Sequence, residues 1–313
     1  MLGLLDQAGG VLQSFTLDRT LFSEQHAVAA GIGAERGLPV IGALPIGVKP
    51  LEAAERGHTV VTGLDSFLPP KTRFENLPEH FSLAELAARV QESGLAVAPL
   101  LMGTARVIEG ASPTEQPEAL DALGHEYEVA WRAELELFAL VGQGEGRALA
   151  ERSLKSQREF VRELHARGVP LFAASGAAST GIAPGAGLVD ELGQWVEAGV
   201  PAADALQAAT RGTALALGEA NERGRIAPGL VADLIVLGSD PLRSIQALEK
   251  PEIVLLRGRV LERFELDEQF SALVARQAAS RAARNAPLNL PACLLYTSPS
   301  PRDQRGSRMP SSA

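Results

Sequence analysis

Four times along the chain, apolar residues recurring every three or four positions end at a glycine, and a short apolar segment follows at once. The first pass is "SEQHAVAAGIGAERG" into "LPVIGA", and the second is "KPLEAAERG" into "HTVVTG". The third is "SLAELAARVQESG" into "LAVAPLL", and the fourth is the long "GRALAERSLKSQREFVRELHARG" into "VPLFAAS". An earlier segment of the second kind, "VLQSFTL", precedes the first helix. The longer period predicts helices, with Ser23 as N-cap of the first and Gly37, Gly57, Gly94 and Gly168 as their stops. The apolar runs predict strands buried on both faces, and alternation with helices makes their sheet parallel, with right-handed crossovers. Such strands fit an open doubly wound sheet or part of a (β/α)8 barrel. No G-x-G-x-x-G follows the first strand, which argues against dinucleotide binding.

Beyond residue 185 the pattern changes. "GLVDELGQWVEAGVPAADALQAATRGTALALG" predicts two helices, with Gly199 ending the first and Pro201 at the first position of the second. "GRIAPGLVADLIVLGSDPL" predicts a type II turn at Pro228-Gly229, a strand at "ADLIVL" and a short helix capped by Asp240-Pro241. "EIVLLRGRVLERF" predicts two strands about Arg257-Gly258, so a small β-layer follows the α/β part.

Composition narrows the partners. The 313 residues carry a formal charge of −9, against the clustered Lys and Arg that phosphate contacts need, and aromatic content of 4% supplies few stacking platforms. Nucleic acid is therefore not an expected partner. No apolar run approaches the ~18 residues of a membrane span, and "MLGLLDQAGG" lacks the basic start of a signal peptide. A single cysteine, Cys293, allows neither a disulfide nor a thiolate metal site within one chain.

The segment from Cys293 onward, "CLLYTSPSPRDQRGSRMPSSA", has no periodicity, and its "CLLYTSPSPRD" resembles the translation of a transposase-based sequencing adapter. It is expected to lie outside the fold. With it go Arg302, Arg305 and Arg308 against Asp303, which takes the charge from −9 to −11.

In either architecture, chemistry sits where strands end. The five strands end "FTLD", "IGALP", "VTGLD", "PLLMG" and "AASGA", which places Leu17, Ala43, Gly63, Met102 and Gly176 at the mouth. None of these moves a proton or binds a divalent metal. The nearest ionisable groups are Asp18 and Asp65, residue types that in loops commonly cap turns. The five histidines, His26, His58, His80, His125 and His165, show no H-x-H, H-x3-H or H-E-x-x-H spacing. His26 and His165 fall within helices and His58 opens a strand at the opposite face, so these are read as structural. His125 and Glu128 in "GHEYEV" lie one turn apart and read as a solvated helix face. Ser175 in "AASGA" has alanine where a nucleophile elbow has its flanking glycines. "STGIAPGAG", with Ser179, offers backbone amides to an anion but no P-loop lysine.

Together "GLPVIGALPIG", "GHTVVTGLDSF", "GVPLFAASGAA…APGAGLVDELGQWVEAGVPAADALQAAT" and "GRIAPGLVADLIVLGSDPL" resemble the amidohydrolase superfamily, in its imidazolonepropionase-like branch. The resemblance spans roughly residues 8–275, and "G-x-I-A-P-G-x-x-A-D-L-I-V-L" is its most specific block. It implies a metal-centred (β/α)8 barrel with a small β-sandwich built from both chain ends, and hydrolysis of amide, lactam and related bonds. The family's "DFIKVY", "G-H-x-P", "IEHL-[DE]" and "GTDA" supply a lysine, two histidines and an aspartate that hold zinc or another divalent metal. Those positions fall on Leu17, Ala43, Gly63 and Gly176, and the histidine of "S-L-H-x-E-L" falls on Val189.

The expectation is thus an incomplete TIM-like barrel, about its strands four to eight, over 8–222. A partial β-sandwich over 223–265, a helix over 266–292 and a disordered tail over 293–313 follow. No metal cofactor is expected. The mouth would be lined by Asp18, Asp65, Met102, Ser175, Ser179 and Val189, open to an unidentified small molecule. The first three barrel strands would lie before Met1, and the unfinished edges invite self-association. The expected function is that of a non-hydrolytic relative acting at most in binding or scaffolding. The alternative is a hydrolase with recruited ligands such as Asp18 and Asp65, or a metal-free one using Ser175.

Overall fold

The computed structural model describes residues 15–17, 20–68, 82–109, 121–124, 142–177 and 182–283. Strands β1 (Phe15–Leu17), β2 (Val40–Gly42), β3 (Val60–Thr62) and β4 (Ala96–Ala98) form one parallel sheet in the order β1-β2-β3-β4. Helices α1 (Ser23–Glu35), α2 (Pro50–Glu55) and α3 (Leu83–Ser93) make the crossovers. After β4 come α4 (Met102–Glu109) and α5 (Gly144–Ala166). The fifth predicted strand continues the series only at Leu171, which bridges in parallel to Val97. Val97 N–H donates to the Pro170 carbonyl at 3.0 Å, and Phe172 N–H donates to the Val97 carbonyl at 2.8 Å. Spatial order follows chain order without the reversal a doubly wound sheet requires, so this is an arc of a (β/α) barrel.

Alternation along each strand divides the core. Val61 and Val97 face the helices, in a cluster with Leu64, Phe160, Leu164 and Trp195. Ile41, Val60, Ala96 and Ala98 face the other way, against Phe172, Ala174, Ala216 and Leu217. Both sheet faces are therefore covered, which is why the strands read as unbroken apolar runs. The paired segments are three residues long, shorter than those runs. Gly63 shows why: at φ +77° it leaves the extended conformation directly after Thr62.

Helix ends follow the sequence with exceptions. Ser82 caps α3, its Oγ accepting from Glu85 N–H at 3.3 Å. Ser82→Ala should lower stability by ~1 kcal/mol, read as a shift of the urea midpoint. Ser23 does not cap α1; it is the first helical residue, and Phe22 holds the cap position without a side-chain bond. Pro201 is itself the N-cap of α7 (Ala202–Gln207), one place earlier than expected, after α6 (Ala186–Glu197). The single helix predicted beyond Pro201 is split by a π-helical turn (Ala208–Gly212) before α8 (Thr213–Ala216). There Thr213 Oγ1 donates to the Ala208 carbonyl at 2.9 Å, a side-chain bond that competes with the backbone ladder. Asp240 accepts from Leu242 N–H at 2.9 Å but closes a turn and not a helix; a short 3-10 helix (Ile245–Glu249) follows.

Strands β5 (Leu234–Val236), β6 (Ile253–Leu256) and β7 (Arg259–Glu262) form a separate antiparallel sheet in the order β5-β6-β7. The β6–β7 turn has positive φ at both Arg257 (+51°) and Gly258 (+80°), as a two-residue hairpin turn needs. Asp233 Oδ1 holds it by accepting from Arg257 N–H at 2.8 Å. Helix α9 (Arg263–Ala283) closes the described chain.

Candidate functional site

The mouth of the arc is where β1 to β4 and the Leu171 segment end. Leu17 is buried as the last residue of β1. Its backbone crowds β2 so closely that a Cβ on Gly42 would stand 1.9 Å from the Leu17 carbonyl oxygen. Ala43 follows β2 and is half-buried. Gly63 follows β3, and its N–H donates to the Ala98 carbonyl at 2.8 Å. Gly176 has φ +65°, and a Cβ there would meet Leu100 Cδ2 at 3.5 Å and Ile182 Cδ1 at 3.8 Å. The direction an acidic side chain would take from position 176 is thus bordered by methyl groups.

The other expected mouth residues scatter. Met102 begins α4 and is buried in the helix-side core. Asp65 is exposed and Val189, on α6, is half-buried. Ser175 is half-buried, and its Oγ accepts from Ala177 N–H at 3.1 Å, a bond within its own loop. Asp18, Ser179, His80, His125 and Glu128 lie outside the described residues. Among the described residues, no group of three or more His, Cys, Asp or Glu could hold a metal ion.

Two buried polar features lie away from these positions. His26 on α1 and His58 before β3 are both buried, with Nε2 of His26 3.1 Å from Nδ1 of His58. The rings are 20° from parallel with centroids 5.2 Å apart, which suits an edge-to-edge bond. His58 Nε2–H donates to the Val60 carbonyl at 2.9 Å and the Gly42 carbonyl at 3.2 Å. Its Nδ1 is then the acceptor, and His26 Nε2–H the donor. Burial lowers the pKa of His58 to about 4 despite the two carbonyls that favour its charge, with His26 adding to the depression. Burial, then Arg56, also lowers His26. The structural role expected of these two histidines acquires a partner that sequence spacing did not reveal.

Glu191 on α6 is the second feature, and the sequence reading passed over it. Its side chain is fully buried. Oε2 accepts from Met102 N–H at 2.9 Å and Oε1 from Trp195 Nε1–H at 2.8 Å. The nearby Leu101 and Leu100 amides also favour its charged form. Burial pushes its carboxyl above the ordinary range, and these four donors pull it back. A signal was present: Gly187, Glu191 and Trp195 repeat every fourth residue on the buried face, so a carboxylate interrupts an apolar stripe. Beside it, Arg106 ties α4 to α6 through Asp190 at 3.1 Å.

Concave surface lies elsewhere. A groove of about 720 Å³ between α8 and the small sheet is lined by Leu217, Ile226, Ile235 and Leu256 among others. One of about 480 Å³ between α4, α5 and α6 presents charges of both signs, including Glu109, Lys155 and Arg162. Neither is lined by Leu17, Ala43, Gly63 or Gly176.

Residues 108–261 match the family profile described as the amidohydrolase family. No curated protein sequence matches the chain. Among solved structures, bottromycin amidohydrolase superposes with a TM-score of 0.66 at 20% identity, over 88% of this chain and 61% of its own. A Xaa-Pro dipeptidase with bound methionine gives 0.54 at 17% identity, over 83% and 57%. A. niger ochratoxinase gives 0.55 at 16% identity, over 80% and 51%. The chain thus spans about three fifths of the length of the bottromycin amidohydrolase structure. At such identities these likenesses speak for the fold alone.

Proposed function

We propose that the chain, whose residues 108–261 match the amidohydrolase family profile, is a member of that superfamily's imidazolonepropionase-like branch without metal-dependent hydrolysis, acting at most in binding or scaffolding. The observation that carries the proposal is the side-chain chemistry at the strand ends. A zinc site needs three or four N, O or S ligands to bring a bound water near neutrality in pKa. Leu17, Ala43, Gly63 and Gly176 offer none, and the space before Gly176 is walled by Leu100 and Ile182. The residues at these positions do not fit a resident metal.

Metal analysis of the purified protein after dialysis should find less than ~0.1 zinc per chain, and lactams and dipeptides should be turned over no faster than in buffer. Stoichiometric metal, with hydrolysis abolished by a chelator, would overturn the proposal. Ser175 is the residue a metal-free route would use, but its hydroxyl accepts from its own loop and, among the described residues, no base is bonded to it. Ser175→Ala should accordingly leave any residual hydrolysis unchanged.

A further inference from the structure

We infer that Glu191 is the positioning residue of the barrel mouth: it holds the Met102 amide where β4 leads into α4 and thereby sets the Leu100 side chain over Gly176. Three observations converge on this. The carboxyl is fully buried on α6, and its two oxygens accept from the Met102 amide at 2.9 Å and the Trp195 indole N–H at 2.8 Å. That is the geometry of an anion held at a helix N-terminus, here the first turn of α4, with the anion supplied by the chain itself. Leu100 next to it is held at φ +54°, a conformation that a bulky residue adopts only when its surroundings impose it. The methyls of Leu100 then stand within 3.8 Å of the place a Cβ on Gly176 would occupy.

These facts connect into one device. Left to itself, the end of β4 would relax at Leu100 and its side chain would swing away from the mouth. The positive φ at Leu100 turns the chain from β4 into α4 and presents the Met102 N–H to Glu191. Glu191 rewards that turn with a bond and so offsets the strain. Trp195, one helical turn further along α6, fixes the second carboxylate oxygen and keeps the carboxylate facing the loop. The mouth is closed by hydrocarbon because a carboxylate behind it holds the stopper in place.

Hydrogen exchange on the full chain tests this with two variants. In Glu191→Ala, the Met102 amide should exchange at least ~10-fold faster than in the wild type, while Val61 and Val97 in the ladders change less. The NOE between the Leu100 methyls and Gly176 Hα should disappear. Glu191→Gln keeps the shape and an accepting oxygen, so it should fall between the two and remain folded if the alanine variant does not. Sodium formate added to Glu191→Ala should restore protection at the Met102 amide, which general loosening would not allow. Equal acceleration at all amides in both variants, or an unchanged Leu100–Gly176 NOE, would overturn the assignment. It rests on the reading of the mouth given above, yet these measurements report the loop alone. Stoichiometric zinc would sink that reading and leave the role of Glu191 standing.

Discussion

Gly42→Ala is expected to cost on the order of 3 kcal/mol or more, a large effect for the addition of one methyl group. Position 42 ends β2 and pairs with Leu17, the last residue of β1. The new Cβ would lie 1.9 Å from the Leu17 carbonyl oxygen, and because the obstruction is backbone, no rotamer change relieves it. The strands must part, and the short pairing Phe15↔Val40, Thr16↔Ile41, Leu17↔Gly42 has little to lose before β1 comes away. With β1 go Leu17 and the contacts it shares with Ala29, Ala30 and Val40. Gly63→Ala is the control. A Cβ there meets nothing within 4 Å, so only the strain at φ +77° remains, about 1 kcal/mol. Urea midpoints at equal m-value would settle the comparison. Similar midpoints for the two variants would mean that β1 does not sit against β2 as described, and Leu17 could no longer be placed beside Ala43 at the mouth.

Local physics was legible wherever it alone decided the outcome. The stops at Gly37, Gly57, Gly94 and Gly168 all have the positive φ that their place after a helix predicts. The turn at Arg257-Gly258 followed from the dipeptide and the apolar runs on either side. Direction of the sheet came from alternation with helices, but the choice between barrel and doubly wound order did not, because it depends on which strands become neighbours. Strand length was overestimated for a related reason. "LPVIGA" is apolar throughout, yet only Val40–Gly42 forms a strand, since apolar character reports burial and not pairing. Leu17, Ala43 and Gly63 stand at or directly after the ends of β1, β2 and β3, whereas Met102 lies in α4, four residues past Ala98. What faces the mouth was not legible: Leu100 and Ile182 reach Gly176 from separate segments, and Glu191 reaches the Met102 amide from across the fold. His26 and His58 are 32 residues apart and meet only because α1 packs beside β1 and β2 and His58 leads into the neighbouring β3.

That histidine pair sets the second large effect, a loss of stability on mild acidification. The folded chain holds both imidazoles neutral, with the His58 pKa lowered from 6.5 to about 4 and His26 also lowered. A depressed histidine pKa means that the unfolded chain binds protons first. The stabilising contribution is therefore complete above pH 6.5 and is lost as pH falls from 6.5 toward 4, by about 3 kcal/mol for His58 alone. Geometry gives the same sign. A proton added at His58 Nδ1 would face the N–H of His26 across 3.1 Å, two donors in place of a donor and an acceptor. Arg56, whose charge already opposes protonation of His26, adds to the cost. Glu191 works in the opposite direction, because a carboxyl whose folded pKa is raised gains stability on protonation as pH falls. A drop measured between pH 7 and 4.5 can therefore not be assigned to that buried acid. His58→Gln keeps a donor for the Val60 and Gly42 carbonyls but cannot titrate. It should be weaker than the wild type by about 1–2 kcal/mol at pH 7, with a flatter profile, so the two curves approach each other near pH 4.5. Parallel curves across that range would show that the pair is not buried neutral and that α1 is not joined to β3 through these two rings.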